Sequence, residues 1–421
     1  MFLDWVRILA FAVLVLYHVG MVYVSWDWHV KSPRASTGLE PWMRLSSPWR
    51  MDLLFLVSGA ATSFMLLRDG ATRPLLAQRA WRILLPLLFG MLVVVPPQSW
   101  LEVVHKLGYA GSYIDFMRLY LTAYGGFCFA PGRCLVLPTW NHLWFLPYLF
   151  VYTLLLWAVL RRRPALLDRM AAVLPGWLTG PALLALPVLF LVTTRLLLAR
   201  RFPVTHALVD DWFAHSQFLA MFLLGAVLAR APSLWLRMAR YRWPALGLAV
   251  AGWALLVSSP PVVLFAGGEI TTLWSRSLFY SVQQWCAIVA ALGFARLHLN
   301  RDNALRRYLT DAVLPLYILH QTVIVLLAPA LARWQLPLVP EGAVLVLATF
   351  ALCLLGYECA RRVRWLRPLF GLRAGGAVGA ARHNAADVTT ATDRGGRHGR
   401  AGGGAGVRPR GLERDAVRTR D

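Results

Sequence analysis

The sequence predicts an all-α, polytopic integral membrane protein with about ten transmembrane helices and a disordered, basic C-terminal tail. Three observations carry that expectation. Of the 421 residues, 58% are hydrophobic and 15% charged, with mean hydropathy +0.55, which is unlike an ordinary soluble domain. Apolar runs long enough to cross a bilayer recur along the chain. Basic clusters fall in alternate connections between those runs, as the positive-inside rule requires. The formal net charge of +23 would by itself suit a nucleic-acid partner. That charge is spread over connections and tail, with no compact basic domain or base-reading motif, so a nucleic-acid partner is excluded and membrane lipid is expected instead.

The first apolar stretch, about residues 5–25, leads into Tyr23, Trp26, Asp27 and Trp28, not a small-residue cleavage site. It is expected to remain as a signal-anchor helix. Nine more spans are expected at about 51–67, 83–99, 142–160, 182–199, 213–229, 243–258, 272–294, 313–332 and 342–360. Pro260 and Pro261 with Gly267 and Gly268 suit a tight turn between the seventh and eighth. Connections after the second, fourth, sixth and eighth spans carry Arg73 and Arg79, then Arg161, Arg162 and Arg163, then Arg237, Arg240 and Arg242, then Arg301, Arg306 and Arg307. Those after the seventh and ninth carry almost no Lys or Arg. Lys31, Arg34, Arg44 and the Arg200–Arg201 pair run against this bias, which still predicts an inner-membrane protein with both termini cytoplasmic.

Two outer connections, about 26–50 and about 100–141, are rich in Trp, Tyr and Pro. Such aromatics anchor the membrane interface, and they also stack on sugar rings. Near Ala374 the composition turns Gly/Ala/Arg-rich and loses apolar periodicity. This divides the chain into a membrane domain, 1–372, and a disordered cytoplasmic tail, 373–421. The five cysteines show no metal-ligand spacing. Cys128 and Cys134 share one outer connection, where a disulfide can form.

Chemistry is concentrated in few positions. Arg7 and His18 both lie in the first span. Eleven positions at about 100° each return to within roughly 20° of the same face, about 16 Å along the axis. An ionisable residue at that depth faces protein or a wet cavity, and imidazole is the side chain best poised to move a proton near neutral pH. The alternatives are an interhelical hydrogen bond for His18 and pairing with Asp4 for Arg7. Arg79 and Arg82, three apart at the inner end of the third span, present two forked donors suited to phosphate, or else mark topology. Asp52 at the outer start of the second span can bind a hydroxyl or orient a base, or pair with Arg50. Small residues Ser58, Gly59, Ala60 and Ala61 follow, suited to close helix packing. Asn141 and His142 open the fourth span where the first delivers its outer half, and are candidate substrate contacts. His320 and Gln321 lie inside the ninth span, as a further substrate contact or as packing. No zinc, P-loop or dinucleotide motif and no nucleophile elbow is present.

The segments LDWVRILAFAVLVLYHVG, LLFLVSGAATSFML, QRAWRILLPLLFG, NHLWFLPYLF, FLLGAVLAR and LPLYILHQTVIVLL, in this order, resemble the membrane acyltransferase-3 family, whose members acylate cell-envelope carbohydrates. Within it, RMDLLFLVSGAAT and VVPPQSWLEVV are similar to the periplasmic glucan succinyltransferase branch. The resemblance implies a ten-helix core and a donor, acetyl-CoA or succinyl-CoA, entering from the cytoplasm. The acceptor it implies is a polysaccharide or oligosaccharide, such as periplasmic glucan or O-antigen, on the other side. The family's Arg-x10-His pair falls on Arg7 and His18, and its basic pair on Arg79 and Arg82. The competing class is a transporter or flippase of an envelope glycan, for which the paired broken helices of an inverted repeat are missing.

Overall fold

The computed structural model describes residues 1–258 and 268–373. The Pro260–Pro261 turn and the tail beyond Arg373 lie outside the described residues. In chain order the helices are α1 (Phe2–Tyr23), α2 (Glu40–Ser46), α3 (Arg50–Asp69), α4 (Arg73–Phe89), α5 (Pro96–Leu107) and α6 (Tyr113–Leu121). After a short hairpin, β1 (Cys128–Ala130) and β2 (Arg133–Cys134), come α7 (Phe145–Arg162), α8 (Leu166–Trp177), α9 (Ala182–Leu198), α10 (Trp212–Leu228) and α11 (Pro232–Arg240). The last five are α12 (Arg242–Val257), α13 (Gly268–His298), α14 (Ala304–Ala332), α15 (Leu338–Arg362) and α16 (Leu366–Leu369).

Among the described residues seven helical runs are long and apolar enough to cross a membrane, and nine when two bent pairs each count as one span. The 16-residue α12 is a shorter apolar helix. The expectation of about ten spans thus meets seven to nine among the described residues, with α12 falling short of spanning length. The bent pairs are α8 with α9, turning through 108°, and α10 with α11, turning through 109°. Pro232 at the start of α11 has no N–H to continue α10, which accounts for the corner there.

The second span differs from its expected limits. It runs from Thr37 to Leu67, with a break at Ser47, Pro48 and Trp49 between α2 and α3. The sequence reading began this span at 51, because Arg44, Ser46, Ser47 and Pro48 dilute the apolar signal. Met43 of α2 packs against Gly20 of α1, where a β-carbon would fall 2.3 Å from its sulfur. The segment expected to be a surface loop therefore lies against the bundle, and Arg50 and Asp52 stand part-way along the span, not at its outer end. The third span is also interrupted. Gly90–Val94 form a π-helical turn between α4 and α5, just before Pro96 and Pro97.

The close packing expected of Gly59 is reciprocal. A β-carbon there would sit 1.8 Å from the Phe222 carbonyl oxygen, and one on Gly225 would sit 1.9 Å from that of Leu56. The backbones of α3 and α10 thus touch, which only paired glycines permit. The connection between α5 and α7 has its own small core of Val103, Phe116, Tyr120, Phe127 and Leu137. Cys128 and Cys134 are disulfide-bonded across its hairpin. The Tyr120 hydroxyl donates to Met91 O at 2.7 Å, fastening this connection to the π-helical turn.

Candidate functional site

Helices α1 and α14 and the 3-10 turn Asn141–Trp144 before α7 deliver three histidines to one place. His18 Nδ1 lies 2.9 Å from His320 Nε2, with the rings stacked at 5.0 Å and 7°. His320 Nδ1 lies 2.7 Å from the Tyr317 carbonyl oxygen. A carbonyl only accepts, so His320 Nδ1 carries a proton and, in the neutral ring, Nε2 holds the lone pair. His18 Nδ1–H must then donate to it. That leaves the lone pair of His18 on Nε2, which has no hydrogen-bond partner among the described residues. His18 is partly exposed, whereas His320 is fully buried and His142 is 6% exposed. His142 Nε2 donates to Ile318 O at 3.1 Å, and its Nδ1 accepts from Gln98 Nε2 at 3.4 Å. It meets His320 edge to face at 5.1 Å. Trp28 covers the other side of His18, with centroids 6.2 Å apart.

A polar chain leads away from these histidines. Gln98 Nε2 donates to Thr322 Oγ1 at 2.5 Å, and Gln98 Oε1 accepts from Gln321 Nε2 at 3.1 Å and from Asn141 Nδ2 at 3.4 Å. Gln321 Nε2 also donates to His29 Nε2 at 2.9 Å, so His29 Nδ1–H donates to Glu102 at 2.5 Å. Lys106 joins Glu102 at 2.8 Å to Asp27 at 2.7 Å. Sequence reading missed His29, Gln98 and Glu102. A signal was there: Gln98, Glu102 and Lys106 recur at four-residue spacing, which puts them on one helical face.

At the opposite end of α1, three arginines converge. Arg79 is repelled by both Arg82 and Arg7, and Arg7 by Arg82. Arg7 Nη2 donates to Thr310 O at 3.2 Å, Arg79 Nη2 to Thr62 Oγ1 at 3.1 Å and Arg82 Nε to Gly371 O at 3.3 Å. These three acceptors are neutral. Nε of Arg7 and of Arg79 is buried without a partner. The Asp4 carboxylate expected beside Arg7 pairs instead with Arg306 at 2.5 Å. Arg306 also pairs with Asp302, whose carboxyl is held below its ordinary range by the hydrogen bonds from Arg307 and Arg306. Three guanidinium groups held together, two of them with an unused buried Nε, are suited to bind a polyanion.

Asp52 does not join the histidines. Its Oδ2 accepts from Gln284 Nε2 at 2.7 Å, and it makes no ion pair with Arg50 among the described residues. Arg50 instead lies over the Tyr17 ring, 3.3 Å from its centroid. The structure therefore brings His18, His142, His320 and, through Gln98, Asn141 to one centre. It gathers Arg7, Arg79 and Arg82 into a second and leaves Asp52 in a third. Gln321 bonds not to its neighbour His320 but to His29 and Gln98.

A family model described as an acyltransferase domain matches residues 2–358, nearly all of the described helices. No curated protein and no solved structure matches the chain. By that match the chain belongs to the acyltransferase-3 family, and it is a multi-pass membrane acyltransferase that acts on carbohydrate.

Proposed function

We propose that the protein transfers an acetyl or succinyl group from cytoplasmic acyl-CoA to a hydroxyl of a cell-envelope glycan, such as periplasmic glucan or O-antigen, with His18 as general base. The observation that carries this reading is the single uncommitted lone pair of the histidine centre, His18 Nε2, on the one ring of the three that stays partly exposed. The cofactor-like part of the donor, its phosphates, is assigned to Arg7, Arg79 and Arg82. No resident metal or cofactor is required by this chemistry. The pantetheine arm spans the distance along α1 to His18, roughly 16 Å by helical rise.

The reaction then runs in balance. The acceptor O–H gives its proton to His18 Nε2 as its oxygen attacks the thioester carbon. The imidazolium that forms shares its Nδ1 proton with His320, which is held in position by Tyr317 O. The C–S bond breaks, the ester forms, and the CoA sulfur takes the proton back from His18. His320 and His142 act here as positioning residues, since both nitrogens of each ring are committed. Asn141 shapes the acceptor side through Gln98, and Asp52 lies beyond it. The Cys128–Cys134 disulfide supports assigning the hairpin end to the oxidising side of an inner membrane, with both termini in the cytoplasm.

Glycan-dependent CoA release by the purified protein in lipid tests the reading. His18→Ala is expected to lower turnover by about 10²- to 10⁴-fold in a folded protein. Arg79→Gln is expected to raise the donor KM by roughly tenfold with little change in kcat, because phosphate binding is the same in ground and transition states. Full turnover by His18→Ala would sink the assignment of the base. Glycan binding by wild type without CoA release from either donor would favour a transporter.

A further inference from the structure

A second buried polar cluster lies where α3 restarts after the Pro48 break, and the proposed chemistry does not use it. Arg50 is 9% exposed and Asp52 3% exposed. Arg195 of α9 lies over the Tyr280 ring of α13, 3.8 Å from its centroid, much as Arg50 lies over Tyr17. Tyr280 interacts electrostatically with Arg195, Asp52 and Arg50, so these groups lie in one neighbourhood. Gln284 ties it together, donating to Asp52 at 2.7 Å and accepting from Arg195 at 3.4 Å.

The cluster is left incomplete. Nε and Nη1 of Arg50, Nε of Arg195 and Oδ1 of Asp52 are buried without hydrogen-bond partners. Two guanidinium groups face one carboxylate, an excess of positive charge inside the bilayer, where unpaired charge is most costly. The buried carboxylate of Asp211 does not offset it. Asp211 accepts from the Tyr148 hydroxyl at 2.5 Å and from the His206 amide at 3.0 Å, and it contacts neither guanidinium. The first turn of α3 adds to the imbalance, since its N-terminus has no side-chain cap. A ligand that restores neutrality and uses the free donors is a monoanion with several acceptor lone pairs. The cluster adjoins the reacting centre: Tyr17, under Arg50, is next to His18 in sequence, with ring centroids 6.0 Å apart.

We infer that Arg50 and Arg195, with Tyr17 and Tyr280 beneath them, form a subsite for a carboxylate carried by one of the reactants. This inference rests on the proposed acyl transfer. Two sources share that chemistry, the far end of a dicarboxylic acyl group on the donor or a uronic acid in the acceptor.

The test uses full-length protein in lipid, as wild type, Arg50→Gln and Arg195→Gln. CoA release is measured with succinyl-CoA and acetyl-CoA on a neutral glucan, and with acetyl-CoA on a uronate-bearing glycan. A donor carboxylate lowers the succinyl-to-acetyl ratio of kcat/KM by about 10- to 100-fold in Arg50→Gln, the loss of a charge-assisted bond. An acceptor carboxylate leaves that ratio alone and lowers the uronate-to-neutral ratio by the same amount. Either result supports the subsite, and Arg195→Gln, on another helix, carries the same test should Arg50→Gln not fold. Both ratios unchanged in folded variants would overturn it. Should wild type turn over no donor, the proposed function fails while the subsite is still tested. Succinate or glucuronate must then raise the unfolding temperature of wild type and not of Arg50→Gln, and no response to either ends the inference.

Discussion

The histidine centre and the Arg50–Arg195 cluster lie on neighbouring faces of α1, both built from helices far apart in sequence, yet they are finished to different degrees. Around the histidines nearly every polar atom has a partner, and the partners fix each proton: Tyr317 O sets His320, and His320 sets His18. Around Arg50 and Asp52 four buried polar atoms have none. In a low-dielectric interior a satisfied network is rigid and an unsatisfied one is costly. The first arrangement is therefore a prepared tool, with one free lone pair left to act. The second holds unused donors that, under the inferred subsite, a reactant's carboxylate would engage.

Four changes would break or sharpen this contrast, from the largest effect to the smallest. His320→Ala leaves His18 intact but removes what holds its Nδ1 proton. Turnover is expected to fall by about 10²-fold with the protein still folded, and a wild-type rate of CoA release would show that the tautomer chain is incidental. Gly225→Ala drives a β-carbon into the Leu56 carbonyl and parts α3, which carries Arg50 and Asp52, from α10. It should lower stability by about 1–3 kcal/mol, read from unfolding in detergent. Gln284→Leu strands Asp52 and Gln217 Oε1, which accepts from Gln284 at 3.2 Å. A loss of about 1–3 kcal/mol is expected in the same assay. Arg50→Gln should behave in the opposite sense. Removing a buried charge that has no ionic partner among the described residues is expected to leave stability unchanged or raise it by about 1 kcal/mol, as at other sites kept for binding and not for folding. A marked loss of stability in Arg50→Gln would put the two centres in the same class.

Much of the fold was legible in the sequence because hydropathy reports burial in lipid directly. An apolar helix stands at each expected span, and the first, fourth, seventh and tenth begin and end within about four residues of their expected limits. The second did not, because a helix that breaks in mid-span carries the same Ser and Pro that mark a surface loop. His18 and His320 stood out as ionisable residues within apolar runs, and the convergence of Arg7, Arg79 and Arg82 followed from topology alone. His29, Glu102 and Gln98 did not stand out, since each sits among polar and aromatic residues where such side chains are ordinary. Arg50 was visible but was given to an ion pair with Asp52. Two residues apart on a helix, their side chains point some 200° apart, and the structure sends one to Tyr17 and the other to Gln284.

The alignment of Arg7 and His18 on one face of α1 has a consequence for vectoriality. Under the proposed reading a single 22-residue helix carries both the donor's anchor and the reacting base. The bilayer is then traversed by an exchange of bonds: neither CoA nor glycan crosses, and only the acyl group changes sides. Such group translocation draws its drive from the thioester itself, so the protein has no need of an ion gradient or a nucleotide hydrolysis step. Its direction is set by which face each reactant can reach.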